Sequence, residues 1–171
     1  MKIRAYTEQD REAVYALHAH AFDGLDEADL VQALHDDGAA VLSQVAERDG
    51  AVVGHILFSS LGLAPAPARP RYLAALAPMA VLPDYQRKGV GEALVRASLD
   101  ALEEAGCDGV IVLGHPAYYP RFGFTPASGF GIGFPGSVPE EAFMALSLRV
   151  GGLEDCRGTV VYHPAFGLQR P

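Results

Sequence analysis

Apolar and polar positions along the chain predict short strands that alternate with amphipathic helices. Residues 2–6 alternate between polar and apolar and predict a first strand. Thr7 and Asp10 form a variant capping box, which predicts that a helix begins there. The apolar residues at helical spacing in that helix are Val14, Leu17, Ala21 and Phe22. The pattern that follows predicts a second helix, capped by Asp26 and ended by Gly38.

The middle of the chain begins with a predicted hairpin. Two β-rich runs over residues 39–63 flank Asp49 and Gly50, a turn pair suited to positive φ. Residues 64–70 are too rich in proline for a strand interior, and they are too few to separate two domains. A further strand is predicted over residues 72–81.

The second half of the chain adds one long helix and several strands. The predicted elements in order are a helix over Gly89–Ala105, a buried strand over 109–114, a short helix around Ala117–Phe122, a loop rich in glycine and proline, and strands near Ala142–Val150 and Gly158–Tyr162. The long helix connects two strands as a β-α-β crossover, which makes those two strands parallel while antiparallel pairing dominates elsewhere. The pattern predicts a mixed α/β fold in a single domain over residues 1–171, in which residues 126–171 complete the sheet.

Composition narrows the class of protein. Half of the 171 residues are hydrophobic, which favours a globular core, and no apolar run approaches the ~20 residues of a membrane span. The net charge of -8 argues against nucleic-acid binding and favours either a cationic substrate or simply solubility. The first five residues carry no apolar signal segment, so a cytoplasmic location is expected. Two cysteines and six histidines show no zinc-site spacing, and we expect no metal.

A glycine-rich segment, QRKGVGEAL over residues 86–94, precedes the long helix. The first turn of a helix leaves backbone N–H groups without partners and adds partial positive charge. Gly89 and Gly91 let an anion approach the backbone, and Arg87 and Lys88 add positive charge. The segment therefore predicts a phosphate or pyrophosphate site, with a simple helix start as the alternative. It is neither a dinucleotide fingerprint, which requires glycine at position 94, nor a P-loop, which requires Gly-Lys-Ser/Thr.

The pattern Gln86-x-x-Gly89-x-Gly91 after MAVLPDY resembles the acyl-CoA signature of the GNAT acetyltransferase superfamily. AERDGAVVGHI resembles the second and third strands of that family, and YYPRFGF resembles its fourth-helix motif. PEEAFMALSL and GTVVYHPAF are similar to segments of the YhbS-like branch. The resemblance covers nearly the whole chain. It implies a mostly antiparallel sheet with a central pair of parallel, splayed strands and flanking helices.

The resemblance also implies that acetyl-CoA is a co-substrate. In such enzymes the pantetheine arm lies beside a splayed strand and bonds to its backbone, here at Met79, Ala80 and Val81. Pro78 has no N–H, so the donors must follow it. The residues that the resemblance assigns to the pyrophosphate are Gln86, Arg87, Lys88, Gly89, Val90, Gly91 and Glu92.

Attack of an amine on a thioester requires proton transfers. The amine must be neutral, the oxyanion needs a donor, and the leaving thiolate needs a proton. Tyr119 matches the family's tyrosine and is the predicted general acid, with Tyr118 as the alternative. The strand over 72–81 contains no carboxylate, where many relatives carry Glu, so the base is His55, His115 or a chain of waters. For each of these residues a structural packing role is the alternative.

The resemblance implies N-acetylation of a small-molecule amine by a monomer or a homodimer. We expect Phe130, Phe134 and neighbouring loop residues within 126–171 to cover and line the acceptor site. An acceptor that enters elsewhere would lie between the first two helices, around Phe22 to Leu30. A function of another class, a non-catalytic acyl-CoA-binding or regulatory protein, would keep the glycine loop and lose the acid and base.

Overall fold

The computed structural model describes residues 1–168, which form two compact units. The first unit comprises Met1–Ser59 and Ala77–Ala101, and the second comprises Ser60–Leu76 and the residues from Leu102 onward. The strands and α-helices in chain order are β1 (Lys2–Ala5), α1 (Arg11–Phe22), α2 (Asp26–Asp36), β2 (Ala40–Arg48), β3 (Ala51–Ala64), β4 (Leu73–Val81), α3 (Val90–Glu104), β5 (Gly109–Leu113), β6 (Thr125–Pro126), β7 (Ile132–Gly133), β8 (Phe143–Ser147) and β9 (Gly158–Val161). The predicted single domain is not tested by this division and stays a prediction.

The helices α1 and α2 of the first unit start differently from their predicted caps. The Asp10 carboxylate accepts a hydrogen bond from the Thr7 N–H at 2.8 Å, but this box opens a 3-10 turn, and α1 begins only at Arg11. The prediction that Asp26 caps α2 is wrong, because Leu25 occupies the cap and Asp26 is the first helical residue. A carboxylate in the first turn still stabilises the helix through the helix dipole.

The sheet of the first unit is antiparallel, as predicted. β1 pairs with β2, and β2 pairs with β3 through a hairpin whose turn residues Asp49 and Gly50 have φ angles of 52° and 78°. Directly after β4, the Leu82 N–H donates to the Val53 carbonyl of β3 at 2.9 Å. The buried apolar side chains of this unit include Val14, Leu17, Val31, Leu34, Ile56 and Phe58.

The second unit contains the parallel strand pair. β4 and β5 are parallel, with Leu73 opposite Gly109, and β8 is antiparallel to β5 and to β6. The expected pairing of the chain's last part beside β5 is thus confirmed for β8. It is wrong for β9, which pairs with the end of β3 and with β7. The mixed α/β, mostly antiparallel fold is confirmed.

Two predicted elements of the second unit are shorter in the structure. The helix expected around Ala117–Phe122 is a 3-10 turn over Tyr119–Phe122, because Pro120 lies in its first turn and Gly123, with φ of 101°, ends it. The strand expected to reach Val150 ends at Ser147. None of the helices in residues 1–168 is long and apolar enough to span a membrane.

Candidate functional site

The glycine-rich loop lies between β4 and α3, within the first unit. After β4 the chain makes a 3-10 turn at Pro83–Tyr85, and the Gln86 side-chain amide donates to the Val81 carbonyl at 3.0 Å. Arg87 and Gly89 have positive φ angles of 60° and 85°, so the chain turns sharply into α3. These residues are exposed, and the backbone of the loop is open to a ligand.

The first turn of α3 has the features of an anion site. The Gly89 carbonyl accepts the first helical hydrogen bond, from the Ala93 N–H at 3.0 Å. The N–H groups of Val90 and Gly91 follow directly in the first turn, where helical N–H groups have no acceptor within the helix. A Cβ atom at Gly89 would meet no atom within 4 Å, so the space over the loop is open.

Positive charge collects beside this loop. Lys88 Nζ lies 6.0 Å from the centroid of the Tyr85 ring, and the Arg48 guanidinium carbon lies 5.8 Å from the same centroid. Arg48 ends β2 and was not among the predicted site residues, because no sequence spacing links it to the loop. Together with Arg87, these side chains favour an anionic ligand.

Gly54 of β3 sets the position of α3. A Cβ atom at Gly54 would lie 3.0 Å from side-chain atoms of Leu94 and Val90 and 3.4 Å from the Ala80 carbonyl oxygen. A larger residue would push α3 away from β3, so glycine permits this close approach. The same distances show that Ala80 lies beside Gly54, and Met79–Val81 therefore run next to this part of β3.

Four polar side chains form a connected series on the other face of β3. Successive side chains of a strand alternate in direction, so His55 points away from α3, opposite to the neighbouring Gly54. His55 Nδ1 lies 2.8 Å from His18 Nε2, and His55 Nε2 lies 2.8 Å from Ser43 Oγ. Ser43 Oγ lies 3.0 Å from His35 Nε2. We call His18, His55, Ser43 and His35 the histidine chain. Its first two members are fully buried and its last two half-buried.

Burial keeps the imidazoles of the histidine chain neutral. Desolvation lowers the pKa of His18 to about 4 and, with the nearby His18 and His35, lowers the pKa of His55 well below its usual value. Burial also lowers the pKa of His35, although the hydrogen bond that its ring donates to the Val31 carbonyl raises that pKa. Both nitrogens of His55 have partners within the protein. If His55 takes part in chemistry, it therefore acts through a neighbour.

Tyr119 is a buried phenol in the second unit. Its side chain is 8% exposed, and its ring contacts Phe124 and Tyr118 edge to face at centroid distances of 5.7 and 5.1 Å. A Cβ atom at Gly114 would collide with the Tyr119 ring, so glycine directly after β5 leaves room for it. Burial raises the pKa of Tyr119 to about 12. The phenol therefore keeps its proton at neutral pH.

The two alternative acid–base residues of this unit lie nearer the solvent. Tyr118 is half-buried, and the Arg121 guanidinium carbon lies 4.3 Å from its ring centroid. The His115 side chain is exposed, and its carbonyl accepts a hydrogen bond from the Tyr118 N–H at 3.0 Å. The two histidines predicted as bases thus differ completely in exposure.

The aromatic residues predicted to line the acceptor site fall in different units. Phe130 and Phe134 pack at the edge of the second unit's core, and Phe134 contacts Tyr162 with ring centroids 5.9 Å apart. Phe22 ends α1 of the first unit and is 41% exposed. Its ring stacks on His18, with centroids 5.9 Å apart and planes 5° apart.

Three members of the histidine chain were missed by the sequence analysis. His18 follows Val14 by four residues, which places it on the buried face of α1 and was the available signal. Nothing in the sequence shows that β2 and α2 supply Ser43 and His35 as its partners. Within residues 1–168, no group of three His, Cys, Asp or Glu side chains is arranged to hold a metal ion.

Comparison with known proteins identifies the family. Residues 4–124 match the model of the acetyltransferase (GNAT) family. The chain is 41% identical to the N-acetyltransferase YjhQ of Escherichia coli K12 over 137 residues, which is 78% of this chain and 75% of YjhQ. It is 35% identical over 167 residues to the N-acetyltransferase YhbS of the same strain, covering 97% of this chain and 98% of YhbS.

Two crystal structures extend this likeness to the fold. Escherichia coli YhbS in complex with CoA has a TM-score of 0.91 at 34% identity, covering 97% of this chain and 91% of that one. A GNAT acetyltransferase from Brucella melitensis in complex with acetyl-CoA has a TM-score of 0.80 at 33% identity, covering 96% and 97% of the two chains. The glycine loop, the fold and these relatives agree, and the chain belongs to the GNAT family of N-acetyltransferases.

Proposed function

We propose that this protein transfers the acetyl group of acetyl-CoA to the amine of a small molecule, by direct attack of the amine on the thioester. The exposed loop at the start of α3 carries this proposal, because backbone N–H groups, Gly89 and the cations Arg87 and Lys88 meet there. Such a loop suits the pyrophosphate of CoA. The complexes of YhbS with CoA and of the Brucella enzyme with acetyl-CoA support the choice of co-substrate.

The co-substrate follows the loop and the end of β4. Its pyrophosphate lies on the backbone of Gln86–Glu92, and the bond from Gln86 to Val81 holds the start of that loop. The pantetheine arm bonds to the backbone of Met79–Val81. Pro78 lacks an N–H and leaves the donor role to the residues after it.

Two donors assist the transfer step. A backbone N–H near Ala80 stabilises the oxyanion, and Tyr119 gives a proton to the leaving thiolate. The pKa of Tyr119, raised to about 12 by burial, means that the side chain is a phenol at neutral pH and has a proton to give. Tyr118 is the second candidate for the acid, and its half-buried ring makes it the more accessible of the two.

The acceptor is an amine, and its identity is open within that class. A net charge of -8 favours a cationic acceptor over an anionic one. Phe130 and Phe134 are proposed to line its site through their aromatic rings. Phe22 is the alternative wall, because its ring is already exposed in the structure.

The rival function is acyl-CoA binding without transfer. Purified protein is incubated with acetyl-CoA and a panel of alkylamines, arylalkylamines, polyamines and amino acids, and free CoA thiol is measured. We expect thiol release above the amine-free control with at least one class of amine. Tight acetyl-CoA binding by calorimetry without release for any amine would support the rival.

A further inference from the structure

The hydrogen bonds of the histidine chain have a single arrangement that suits three neutral rings. The His35 ring donates to the Val31 carbonyl, so its Nε2 accepts from the Ser43 hydroxyl. Ser43 has one hydroxyl proton, and its oxygen therefore accepts from His55 Nε2. His55 Nδ1 must then accept from His18 Nε2. A neutral imidazole carries one N–H, so His18 Nδ1 presents an unprotonated lone pair.

This lone pair is buried and has no hydrogen-bond partner in residues 1–168. Leaving a buried acceptor unsatisfied costs free energy, and native proteins rarely do so without a use. The lone pair can therefore accept a hydrogen bond or a proton from a water molecule or from a bound substrate. The His18 ring stacks on Phe22, which is 41% exposed where α1 ends.

We propose that His18 Nδ1 receives the proton that the acceptor amine loses on acetylation, and that His55, Ser43 and His35 relay the charge outward. This inference rests on the proposed acetyl transfer and supplies the base that β4 lacks. His18 is then a catalytic residue, and the other three are positioning residues that act through it.

The proton and electron balance of the step is complete. The amine nitrogen bonds to the thioester carbonyl carbon, the carbon–sulfur bond breaks, and the sulfur leaves with the electron pair and takes a proton from the general acid. The amine gives one proton to His18 Nδ1. His18 Nε2 passes its proton to His55 Nδ1, and His55 Nε2 passes its proton to Ser43. The Ser43 hydroxyl proton moves to His35 Nε2, so the positive charge ends on His35.

The surroundings of the two ends give this relay its direction. Besides the other histidines of the histidine chain, the charged or titratable groups that act on His35 or contact it are Glu8, Asp36, Arg11 and Tyr6. The two carboxylates raise the pKa of His35, Arg11 lowers it, and the Tyr6 ring stacks on it with centroids 4.1 Å apart. His35 is also half-buried, whereas His18 is fully desolvated. A proton is therefore more stable on His35, and His18 need not hold the charge it receives.

The position of the histidine chain fits this role. His55 follows Gly54, whose neighbour across the strands is Ala80 in the segment proposed to bind the pantetheine arm. The Asp10 carboxylate raises the pKa of His55, against the larger lowering by burial. The hydrogen bonds thus run from His18, beside the exposed Phe22, through His55 on β3, the strand next to Ala80, to the half-buried His35.

The arrangement of protons is measurable without turnover. Long-range ¹H–¹⁵N correlation spectra of the uniformly ¹⁵N-labelled full chain near neutral pH report which ring nitrogens carry hydrogen. We expect Nε2–H on His18, Nε2–H on His55 and Nδ1–H on His35. A proton on His18 Nδ1 would overturn the inference, whatever the enzyme acetylates.

Three substitutions then test the use of the lone pair. His18→Gln keeps a donor toward His55 and removes the base, and we expect kcat to fall by roughly 10²-fold with the KM for acetyl-CoA unchanged. Ser43→Ala interrupts the relay and should also lower kcat, whereas Ser43→Thr, which retains the hydroxyl, should restore it. His20→Gln, at an exposed position of the same helix, is the matched control and should have no effect.

The outcomes separate this inference from the proposed function. Wild-type protein that releases no CoA with any amine contradicts the function itself, and the relay with it. Active wild-type protein with the expected tautomers, but with wild-type kcat in folded His18→Gln, contradicts the relay alone. Equal loss in Ser43→Ala and Ser43→Thr would likewise show that position 43 has only a packing role.

Discussion

Tyr119 and His18 are both buried, one in each unit, and burial shifts their pKa values in opposite directions. The pKa of Tyr119 rises to about 12, and that of His18 falls to about 4. The cause is the same, because desolvation disfavours the charged form, which is the phenolate of one residue and the imidazolium of the other. Desolvation therefore leaves Tyr119 with its proton and leaves a ring nitrogen of His18 with an unprotonated lone pair.

This contrast explains why neither residue needs a charged partner. A carboxylate beside His18 would stabilise the imidazolium and hold a proton on the ring. A lysine or arginine beside Tyr119 would stabilise the phenolate. The buried neighbours of Tyr119 are aromatic, and the ring neighbours of His18 are Phe22 and His55. In both sites the uncharged environment sets the protonation state.

The largest expected effect comes from removing the phenolic proton of Tyr119. Tyr119→Phe keeps the ring, and we expect kcat to fall by roughly 10²–10⁴-fold while the affinity for acetyl-CoA is unchanged. Steady-state kinetics and calorimetry measure the two quantities. Tyr118→Phe is the matched control. If Tyr118→Phe is the damaged enzyme and Tyr119→Phe keeps its wild-type turnover, the general acid is Tyr118.

Acid should destabilise the protein through the histidine chain. Above pH 6.5 neither the folded nor the unfolded His18 binds a proton, and between pH 6.5 and about 4 only the unfolded state does. Stability is therefore lost as the pH falls through this window, by about 3 kcal/mol for His18 alone at ~1.4 kcal/mol per pKa unit. Urea unfolding at a series of pH values measures this loss.

The matched variant for this measurement is His18→Gln, which cannot titrate. Its free energy of unfolding should fall less steeply between pH 6.5 and 4 than that of the wild type. Parallel curves for the two proteins would show that His18 is not held neutral by burial, and the contrast with Tyr119 would fail.

A substitution in the glycine loop should have a smaller effect, and it tests co-substrate binding separately from proton transfer. Gly91→Val places a side chain in the first turn of α3, and we expect the affinity for acetyl-CoA to fall by about 10–100-fold, because the anion can no longer approach the backbone closely. Asp100→Val, at an exposed position of the same helix, controls for the helix propensity of valine. Unchanged calorimetric affinity in folded Gly91→Val would contradict the pyrophosphate assignment.

The smallest effect decides which unit binds the acceptor. Phe134→Ala should raise the KM for the amine by about 3–10-fold, from the loss of one aromatic contact, and leave the KM for acetyl-CoA unchanged. Phe22→Ala is the paired variant in the first unit. If only Phe22→Ala raises the KM for the amine, the acceptor binds at the end of α1, beside His18.

The sequence predicts the parts of this account that depend on local spacing. The Asp49-Gly50 hairpin, the long helix α3 and the buried strand β5 follow from turn chemistry and apolar periodicity, and the structure contains all three. The glycine loop was recognised because its residues are contiguous in the chain. Its positive φ angles at Arg87 and Gly89 agree with a tight turn.

Features that depend on long-range packing were not predictable in the same way. The pairing of β9 with β3 joins residues that are far apart in the chain. Both strands are apolar enough to fit several positions in a sheet, so their sequences do not specify this pairing. His18 and His55 are 37 residues apart, and no local pattern reveals that their nitrogens meet at 2.8 Å. Arg48 is far from the glycine loop in the chain, and it comes near the loop because the Arg48 guanidinium and the Lys88 ammonium both lie close to the Tyr85 ring.

The central claim is that burial is the main effect that keeps the proton on Tyr119 and off His18. The direct measurement is an NMR titration of the full chain with ¹³C labels in both rings, which follows Tyr119 Cζ and His18 Cε1 from about pH 5.5 to about pH 9, between the two pKa values. The account predicts that Tyr119 stays a phenol and His18 stays a neutral imidazole throughout. Titration of either Tyr119 or His18 within that range would contradict it.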